Sequence, residues 1–246
     1  MKDVAIITGA SAGIGKALAI ELAKTYKVGL IARRVDVLAE LCSEIESKGG
    51  DASFRSGDVT DESSMVKAVS EIEADLGPCH LFIANAGISS GIRLKSFSAI
   101  KSKSLYDVNL TGVTNSIGAI LPQMVERGAG HIVTMSSLAG SIYTPKSFVY
   151  ASSKAAVDSF AYGLWMAAAK HGISVTNLKP GFVRTDLTAK NNFKMPFMME
   201  PDVAAKKMVK AIARKQISYS FPWQLHYLIK LITCLPLSLQ RLIMSK

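Results

Sequence analysis

Short apolar runs alternate along this chain with longer segments of helical periodicity. The runs are apolar on both faces, which is typical of strands in a parallel sheet that helices cover on both sides. We predict strands at residues 4–8, 28–32, 52–55, 81–84, 131–136 and 175–179, and helices at residues 14–24, 35–48, 62–76, 105–127 and 150–171. Regular strand–helix repetition predicts a single-domain α/β fold with a doubly wound parallel sheet, the Rossmann fold.

The composition is that of a globular protein. Apolar residues make up 49% of the 246 residues and charged residues 20%, so the chain can bury a full core. No charged segment followed by a long apolar run opens the sequence, so we do not expect a secretion signal. Cys42, Cys79 and Cys234 form no CxxC pair, which favours free thiols in a reducing compartment. We therefore expect a cytoplasmic protein.

A glycine-rich segment, TGASAGIG at residues 8–15, joins the first predicted strand to the first predicted helix. Glycine lets the backbone turn tightly and lets a phosphate approach without meeting a Cβ atom. The N-terminus of the following helix offers free N–H groups and the positive end of the helix dipole. Because the turn stands between the first strand and the first helix, we interpret it as a pyrophosphate site, with an ordinary turn as the alternative.

The TGxxxGxG spacing resembles that of the short-chain dehydrogenase/reductase family, and further motifs of that family follow in order. They are Asp58-Val59, Asn85-Ala86-Gly87, Asn109, Ser137, Tyr150 with Lys154 in the pattern YxxxK, and Pro180-Gly181-Phe182-Val183-Arg184-Thr185. The resemblance covers residues 3 to about 186 at the spacing of the family. It implies an oxidoreductase that transfers a hydride between a nicotinamide cofactor and a carbonyl or alcohol.

The resemblance also implies the residues of the site. The implied catalytic residues are Asn109, Ser137, Tyr150 and Lys154. The implied cofactor-binding residues are Gly9, Ser11, Gly13, Ile14, Gly15, Arg33, Arg34, Asp58, Val59, Asn85, Ala86, Gly87, Tyr150, Lys154, Pro180, Gly181, Val183 and Thr185. In the family the lysine also holds the nicotinamide ribose, and the asparagine binds the lysine through a water molecule. A buried asparagine at a local helix kink is the alternative for Asn109.

Elementary chemistry explains why these residue types suit hydride transfer. Tyr150 and Lys154 are four residues apart on a predicted helix, so their side chains share one face. A tyrosine with a pKa near ~10 is a poor proton shuttle at neutral pH, and a neighbouring ammonium group lowers that pKa. Ser136 or Ser137 could supply a hydroxyl for the substrate oxygen. The spacing of the family favours Ser137, which leaves Ser136 to satisfy backbone groups at the strand end.

The end of the second predicted strand indicates which nicotinamide the chain binds. Proteins that use NAD usually have an Asp or Glu there for the ribose hydroxyls. Ala32 occupies that position, and Arg33 and Arg34 follow it. A guanidinium group suits the 2′-phosphate through charge-assisted hydrogen bonds, so we predict NADP(H) as the cofactor. Two arginines that merely face solvent are the alternative.

The substrate is expected to be an apolar carbonyl or alcohol, because residues 185–200 are unusually apolar for a loop. This segment contains Asn191, Asn192, Phe193, Met195, Pro196, Phe197, Met198 and Met199. Methionine adapts its shape to a ligand, which suits a lid over an apolar substrate. Ordinary core packing is the alternative.

Other functions are less compatible with the sequence. None of the four histidines has a second ligand at metal spacing, so we predict no metal site. The basic residues are not accompanied by a nucleic-acid motif, so we predict no nucleic-acid partner. A regulatory protein that binds NADP(H) without turnover is the alternative function, although the complete set of catalytic residue types argues against it.

The last part of the chain departs from the family and is strongly basic. Residues 201–246 hold eight Lys or Arg and one Asp. After a predicted helix at residues 201–215 and an extended piece at 217–221, residues 222–246 form an apolar tail that Pro236 divides. Lys230, Pro236 and Arg241 argue against a membrane-spanning helix, whereas two amphipathic helices with basic flanks suit the inner face of a membrane. The alternatives are packing on the domain formed by residues 1–221 or on a partner subunit.

The assembly is predicted to be a homodimer. Many family members end with a strand and an Asp-Gly-Gly segment that builds a tetramer, and this sequence lacks that ending. We therefore predict a dimer through the helices at 105–127 and 150–171. Its contact surface would include Phe160, Leu164, Trp165 and Met166.

Overall fold

The computed structural model describes residues 2–89, 92, 94–189 and 194–244. Within this part of the chain, seven parallel strands form one sheet in the order β3-β2-β1-β4-β5-β6-β7. The strands are β1 (Val4–Thr8), β2 (Lys27–Ala32), β3 (Ala52–Ser56), β4 (Cys79–Ala84), β5 (Gly130–Met135), β6 (Ile173–Pro180) and β7 (Ser218–Phe221). The predicted single-domain fold with a doubly wound parallel sheet is confirmed, and all six predicted strands are present with small shifts of their ends.

Helices cover both faces of the sheet. They are α1 (Gly13–Leu22), α2 (Val35–Ser47), α3 (Glu62–Leu76), α4 (Ala99–Tyr106), α5 (Gly112–Gly118), α6 (Leu121–Glu126), α7 (Phe148–Ala168), α8 (Asp186–Ala189), α9 (Pro201–Ala213), α10 (Trp223–Thr233) and α11 (Leu237–Met244). The prediction of one helix over residues 105–127 is wrong. A helix begins already at Ala99, passes through a π-helical turn at Asp107–Thr111 and ends at Gly118. A new helix begins at Leu121 because Pro122, which lacks an N–H group, fits only its first turn.

The extended piece predicted at residues 217–221 forms β7, which pairs with the carboxyl-terminal half of β6. The premise that the chain lacks a terminal strand is therefore wrong, although no Asp-Gly-Gly segment follows β7. In β7 two serines alternate with Tyr219 and Phe221, the period-2 pattern of an edge strand rather than the apolar run of a central one. The prediction of a dimer instead of a tetramer loses this support and stays a prediction.

Alternate residues of β1 face two different apolar layers. Ala5 and Ile7 pack with residues of α1, α2 and α9, whereas Val4 and Ile6 pack with residues of α3, α5 and α7. All four side chains are buried. A fully buried aliphatic side chain contributes about 1.5–3 kcal/mol to the free energy of folding. The layers on both sides hold the sheet in place, so the carboxyl ends of the central strands have fixed positions.

A crevice opens where the strand order changes direction, between β1 and β4. The turn from β1 into α1 lines this crevice, and it requires glycine. Gly9 and Gly13 have φ values of +66° and +53°, a region that other residues rarely adopt. A Cβ atom at Gly15 would lie 2.2 Å from the carbonyl oxygen of Gly9. The backbone of this turn is therefore as compact as the sequence predicts.

The predicted lid at residues 185–200 is in part a packed segment. Asn191, Asn192 and Phe193 lie outside the described residues. Met199 donates its N–H to the carbonyl of Phe182 at 3.0 Å and packs against the core, as the alternative of ordinary packing requires. The short helix α8 precedes the undescribed residues and borders the crevice.

The tail forms α10 and α11. Leu225 and Ile229 of α10 pack against Leu138, so part of the tail packs on its own domain. In the residues that the structure describes, no helix has both the length and the apolar character that crossing a bilayer requires.

Candidate active site

A cavity of about 410 Å³ lies at the carboxyl ends of β1, β2, β4, β5 and β6. Every predicted site residue except Asn109 lines it. These are Gly9, Ser11, Gly13, Ile14, Gly15, Arg33, Arg34, Asp58, Val59, Asn85, Ala86, Gly87, Ser137, Tyr150, Lys154, Pro180, Gly181, Val183 and Thr185. The motifs spread over about 180 residues of sequence are therefore brought together in one place.

The Tyr150 and Lys154 side chains lie beside each other on α7. The Nζ atom of Lys154 is 5.9 Å from the centre of the Tyr150 ring and donates a hydrogen bond to the Met135 carbonyl at 2.8 Å. Burial lowers the pKa of Lys154 from 10.5 to about 8, and the Asp158 carboxylate opposes that change. A lysine in this state can exchange a proton near neutral pH.

Burial raises the pKa of Tyr150, whereas a hydrogen bond with the Ser137 hydroxyl lowers it. This differs from the expectation that the neighbouring ammonium group lowers the pKa of the tyrosine. The physical reason is that the cavity wall removes water from the phenol, which disfavours the phenolate. Without ligands, Tyr150 is therefore a protonated side chain that can donate its proton.

The two serines at the end of β5 have different partners. The Oγ atom of Ser136 donates to the carbonyl of Lys154 at 3.0 Å, which ties β5 to α7. The Oγ atom of Ser137 accepts from the N–H of Ala139 at 3.1 Å and begins a 3-10 turn at Leu138–Ser141. The Ser137 hydroxyl also donates to the Pro180 carbonyl at 3.3 Å, and it is the serine hydroxyl whose hydrogen bond lowers the pKa of Tyr150.

Asn109 lies behind the cavity wall, in the π-helical turn at Asp107–Thr111. Its Oδ1 atom accepts from the N–H of Ile88 at 2.8 Å, and its Nδ2 atom donates to the Ile88 carbonyl at 2.9 Å and to Ser153 Oγ at 3.1 Å. A Cβ atom at Gly87 would lie 3.3 Å from Asn109 Oδ1 and 3.4 Å from Lys154 Nζ. The amide therefore fixes the backbone after β4, and a Cβ atom at position 87 would press against the amide oxygen.

Asn85 joins the glycine turn to the end of β4. Its Nδ2 atom donates to the Thr8 carbonyl at 2.9 Å, and the Thr8 hydroxyl accepts from the N–H groups of Asn85 and Ala86, each at 3.1 Å. These bonds pair backbone groups at the ends of β1 and β4, where the hydrogen bonding of the sheet stops. They hold the two sides of the crevice at a fixed separation.

Two arginines and one carboxylate surround the far end of the cavity, next to Ala32. Arg33 is exposed and lies 3.8 Å from Asp58, while Arg34 donates to the Oγ and carbonyl oxygens of Ser11 at 3.1 and 3.3 Å. Hydrogen bonds from Thr60 and the charge of Arg33 hold the pKa of Asp58 below its usual value. The end of the cavity thus combines a carboxylate held by Thr60 with an exposed guanidinium group that an anion can reach.

Sequence reasoning missed several residues of the site. Ile88, Val108, Met135 and Leu187 also line the cavity and make its inner wall apolar. Two of these residues could have been found from their neighbours in the sequence, since Ile88 directly follows the motif Asn85-Ala86-Gly87 and Val108 directly precedes Asn109. Leu187 belongs to α8, which has no motif.

A buried ion pair beneath Lys154 was also missed. Asp158 lies one turn after Lys154 on α7, and its carboxylate contacts Lys179 Nζ at 2.7 Å and accepts from Asn177 Nδ2 at 2.8 Å. The side chains of Asp158 and Lys179 are 13% and 11% exposed. The Asp158 carboxylate therefore interacts with the ammonium groups of both Lys179 and Lys154, and its charge raises the pKa of Lys154 against the effect of burial.

The side chain of His131 has a structural partner on the neighbouring strand, β6. His131 is buried and its Nε2 atom contacts Thr176 Oγ1 at 2.9 Å; burial lowers its pKa to about 4. Among the residues that the structure describes, no group of three His, Cys, Asp or Glu side chains is placed to hold a metal ion.

Comparison with known proteins identifies the family. The sequence profile described as short chain dehydrogenase matches residues 3–196. An uncharacterized oxidoreductase of Myxococcus xanthus is 37% identical over 233 residues, which cover 94% of this chain and 92% of the relative. An uncharacterized oxidoreductase of Staphylococcus saprophyticus is 32% identical over 85% of this chain and 90% of its own length.

Solved structures agree with this assignment. The alcohol dehydrogenase of the archaeon Thermococcus sibiricus, complexed with 5-hydroxy-NADP, has a TM-score of 0.80 at 26% identity and covers 90% of this chain and 96% of its own. A short-chain type dehydrogenase/reductase from Mycobacterium marinum has a TM-score of 0.82 at 29% identity, with coverage of 89% and 92%. The chain therefore belongs to the short-chain dehydrogenase family and is an oxidoreductase.

Proposed function

We propose that this protein transfers a hydride between NADP(H) and a carbonyl or secondary alcohol of an apolar substrate. The observation that carries the proposal is the arrangement of three polar side chains at one cavity. The hydroxyl groups of Tyr150 and Ser137 face each other, and Lys154 is buried beside the tyrosine ring. The surrounding wall of Ile88, Val108 and other apolar side chains suits an apolar substrate.

The residues at the cavity fit a dinucleotide. Ala12, at the N-terminus of α1, offers no side chain to cap the helix, so backbone N–H groups remain for a pyrophosphate. A Cβ atom at Gly13 would lie 3.0 Å from Thr185 Cγ2, so glycine keeps this approach open. The family resemblance implies that Asp58 and Val59 would contact the adenine and that segment 180–185 would line the nicotinamide, and Asp58, Val59 and residues of that segment do line the cavity.

The side chains of this protein would handle the proton and the charge on the substrate oxygen. NADPH supplies the hydride when it is bound. Tyr150 donates its proton to the carbonyl oxygen as charge develops there, and Ser137 stabilises that oxygen by a hydrogen bond. Lys154, with its pKa of about 8, favours the resulting phenolate and takes part in its reprotonation. Asn109 keeps the backbone at Ile88 in position beside the lysine.

The preference for NADP(H) rests on Ala32 and Arg33. The last residue of β2 is Ala32 rather than a carboxylate, and the exposed Arg33 beside it contacts Asp58 at 3.8 Å. A 2′-phosphate would give this guanidinium group a stronger partner than a partly solvated carboxylate. The similar alcohol dehydrogenase of Thermococcus sibiricus was crystallised with 5-hydroxy-NADP, which is consistent with this preference.

The experiment is a comparison of single variants in carbonyl reduction, followed as NADPH consumption. We expect Tyr150→Phe to lose at least about a thousandfold in kcat/KM while its NADPH affinity changes little. Tyr143→Phe is the matched control, since Tyr143 is 70% exposed and outside the cavity. Full activity of Tyr150→Phe would overturn the mechanism.

The same assay separates an enzyme from a regulatory protein. Apolar ketones, quinone-like carbonyls and short polar aldehydes are screened with NADPH, and cofactor binding is measured in parallel by its fluorescence. We expect turnover, with the best substrates among the apolar carbonyls. Tight NADPH binding without consumption by any carbonyl would instead support the regulatory alternative.

A homodimer through α7 is part of the proposal. Met166 is 70% exposed on this helix, next to the partly buried Trp165. Sedimentation velocity of the wild type and of Met166→Lys tests it, and we expect a dimer that the charged variant weakens. A wild type that sediments as a monomer would end this part of the proposal.

A further inference from the structure

The last two helices present apolar side chains to the outside of the molecule. Trp223, Tyr227 and Leu231 recur on one face of α10 and are 66%, 61% and 66% exposed. Leu237 and Leu242 of α11 are 68% and 60% exposed. We call these five side chains the tail face. Several exposed apolar side chains on two consecutive helices are a candidate contact surface.

The helix α11 has its polar side inward. Gln240 is its buried residue, and the Nε2 atom of Gln240 donates to the carbonyls of Thr233 at 3.3 Å and Leu235 at 2.8 Å. Thr233 is the last residue of α10 and Leu235 lies between α10 and α11, so the amide ties α11 to the end of α10. The leucine residues of this helix, Leu237, Leu239 and Leu242, are 68%, 46% and 60% exposed, so they face away from the domain. An amphipathic helix that only packed on its own domain would have the opposite orientation.

Positive charge accompanies the tail face. Lys230 Nζ lies 6.0 Å from the centre of the Tyr227 ring, and Arg241 is exposed on α11. Residues 203–246 contain no Asp or Glu, although they contain eight Lys or Arg. A symmetric contact between two copies would bring these cations together with no carboxylate of the segment to pair them. Charge complementarity therefore favours an anionic partner over a second copy.

The side chains of the tail face indicate which class of anionic partner fits it. Leucine side chains need an apolar environment, and tryptophan and tyrosine prefer the boundary between an apolar and an aqueous phase. Lys230 and Arg241 can reach phosphate groups while their stems remain beside the apolar side chains. An anionic lipid surface offers all three environments at once.

We propose that the tail face docks on an anionic lipid bilayer, with α10 and α11 in the headgroup region. In this arrangement residues 222–246 are a tail appended to the catalytic domain of residues 1–221. The inner face of α10 packs through Leu225 and Ile229 against Leu138, which directly follows Ser137. Docking would therefore bring lipid to within about one helix diameter, ~10 Å, of the cavity.

Co-sedimentation with vesicles tests the proposal. The probes are vesicles of phosphatidylglycerol with phosphatidylcholine and vesicles of phosphatidylcholine alone. We expect the full chain to bind the anionic vesicles at least about tenfold more strongly, and less so at high salt. A Trp223→Ser/Leu231→Ser/Leu242→Ser variant should lose this binding about tenfold or more. Ile100→Ser is the matched control, since Ile100 is 83% exposed on α4.

A separate pair of variants tests how much the positive charge contributes to vesicle binding. Lys230→Gln/Arg241→Gln should weaken binding to anionic vesicles, whereas Lys67→Gln, at an exposed lysine of α3, should not. Equal binding to both vesicle types, binding to neither, or equal binding by the wild type and the triple variant would overturn the proposal. The proposal would also be overturned if the wild type bound no vesicles and formed an oligomer that dissociates in the triple variant, because the tail face would then be a contact between copies of the chain.

Tryptophan fluorescence gives a second, independent readout. The chain has two tryptophans, so Trp165→Phe leaves Trp223 as the only one. We expect its emission to shift to shorter wavelength with anionic vesicles and not with phosphatidylcholine alone. An unchanged spectrum in a variant that is folded by circular dichroism would contradict the proposed contact of Trp223 with lipid.

Discussion

Replacement of Lys154 by methionine is expected to stabilise the cofactor-free protein at neutral pH while it removes activity. Lys154 is 4% exposed, and burial lowers its pKa from 10.5 to about 8. Below pH 8 the folded chain therefore carries a charge that is less favourable there than in the unfolded chain. Methionine keeps the length of the side chain and removes the charge.

The magnitude follows from the pKa and from one hydrogen bond. A fall from 10.5 to about 8 corresponds to about 3 kcal/mol, at about 1.4 kcal/mol per pKa unit. Methionine leaves the Met135 carbonyl without the 2.8 Å hydrogen bond from Lys154, which offsets about 1–3 kcal/mol of that gain. We expect the free energy of unfolding of Lys154→Met to exceed that of the wild type by up to about 2 kcal/mol at pH 7.

The gain should depend on pH. Because the pKa of Lys154 is lower in the folded chain, the unfolded chain binds more protons at this residue between about pH 8 and 10.5. The stability of the wild type relative to Lys154→Met therefore rises with pH across this window. Other titrating groups are common to both proteins, so their contributions cancel in the difference.

The assay is urea unfolding without cofactor, at pH 7 and near pH 10, with circular dichroism as the signal. Lys67→Met, at a side chain 78% exposed, is the control and should differ from the wild type by less than about 0.5 kcal/mol. A Lys154→Met protein that is less stable than the wild type at pH 7 would refute the reasoning. So would an advantage that is equally large at both pH values.

Three further predictions concern charged groups. Arg33→Ala should weaken NADPH binding about 10- to 100-fold and leave NADH binding unchanged in fluorescence titrations, if the guanidinium group binds the 2′-phosphate. Asp158→Asn removes the carboxylate that raises the pKa of Lys154, so the alkaline limb of the pH profile of kcat/KM should move to lower pH. The variant also removes the ion-pair partner of Lys179, which should lower the free energy of unfolding in urea by about 3–5 kcal/mol. An alkaline limb that stays in place would contradict the role of Asp158. Burial lowers the pKa of His131 from 6.5 to about 4, so the unfolded chain binds more protons between these values and stability falls as the pH falls through this range. In urea unfolding, His131→Gln should therefore lose less stability between pH 6.5 and 4 than the wild type does.

The sequence predicted well those features that depend on local patterns. Strands of a covered parallel sheet are apolar on both faces, and glycine at residues 9, 13 and 15 has few explanations other than a tight turn. Since the carboxyl ends of parallel strands meet at one edge, motifs that follow the strands come together without further information. This is why all but one of the predicted site residues line the same cavity.

The features that the sequence did not reveal depend on contacts between distant residues. Asp158 has the pattern of a solvated charge on a helix, and Lys179 has that of a cation at a strand end. Only the packing of α7 on β6 brings them within 2.7 Å of each other. The π-helical turn around Asn109 is similar, because its irregular backbone accompanies the contact of the amide with Ile88.

The tail illustrates a further limit of pattern reading. Helical periodicity predicted that α10 and α11 each have an apolar face, but it could not give the direction of that face. The direction of α11 is set by Gln240, whose amide bonds to the end of α10. In α10 both sides are apolar, with Leu225 inward and Trp223 outward. The outward apolar side chains of α10 would be buried only against a second apolar environment, since the domain already covers the inward ones. The lipid surface that we propose would supply the other.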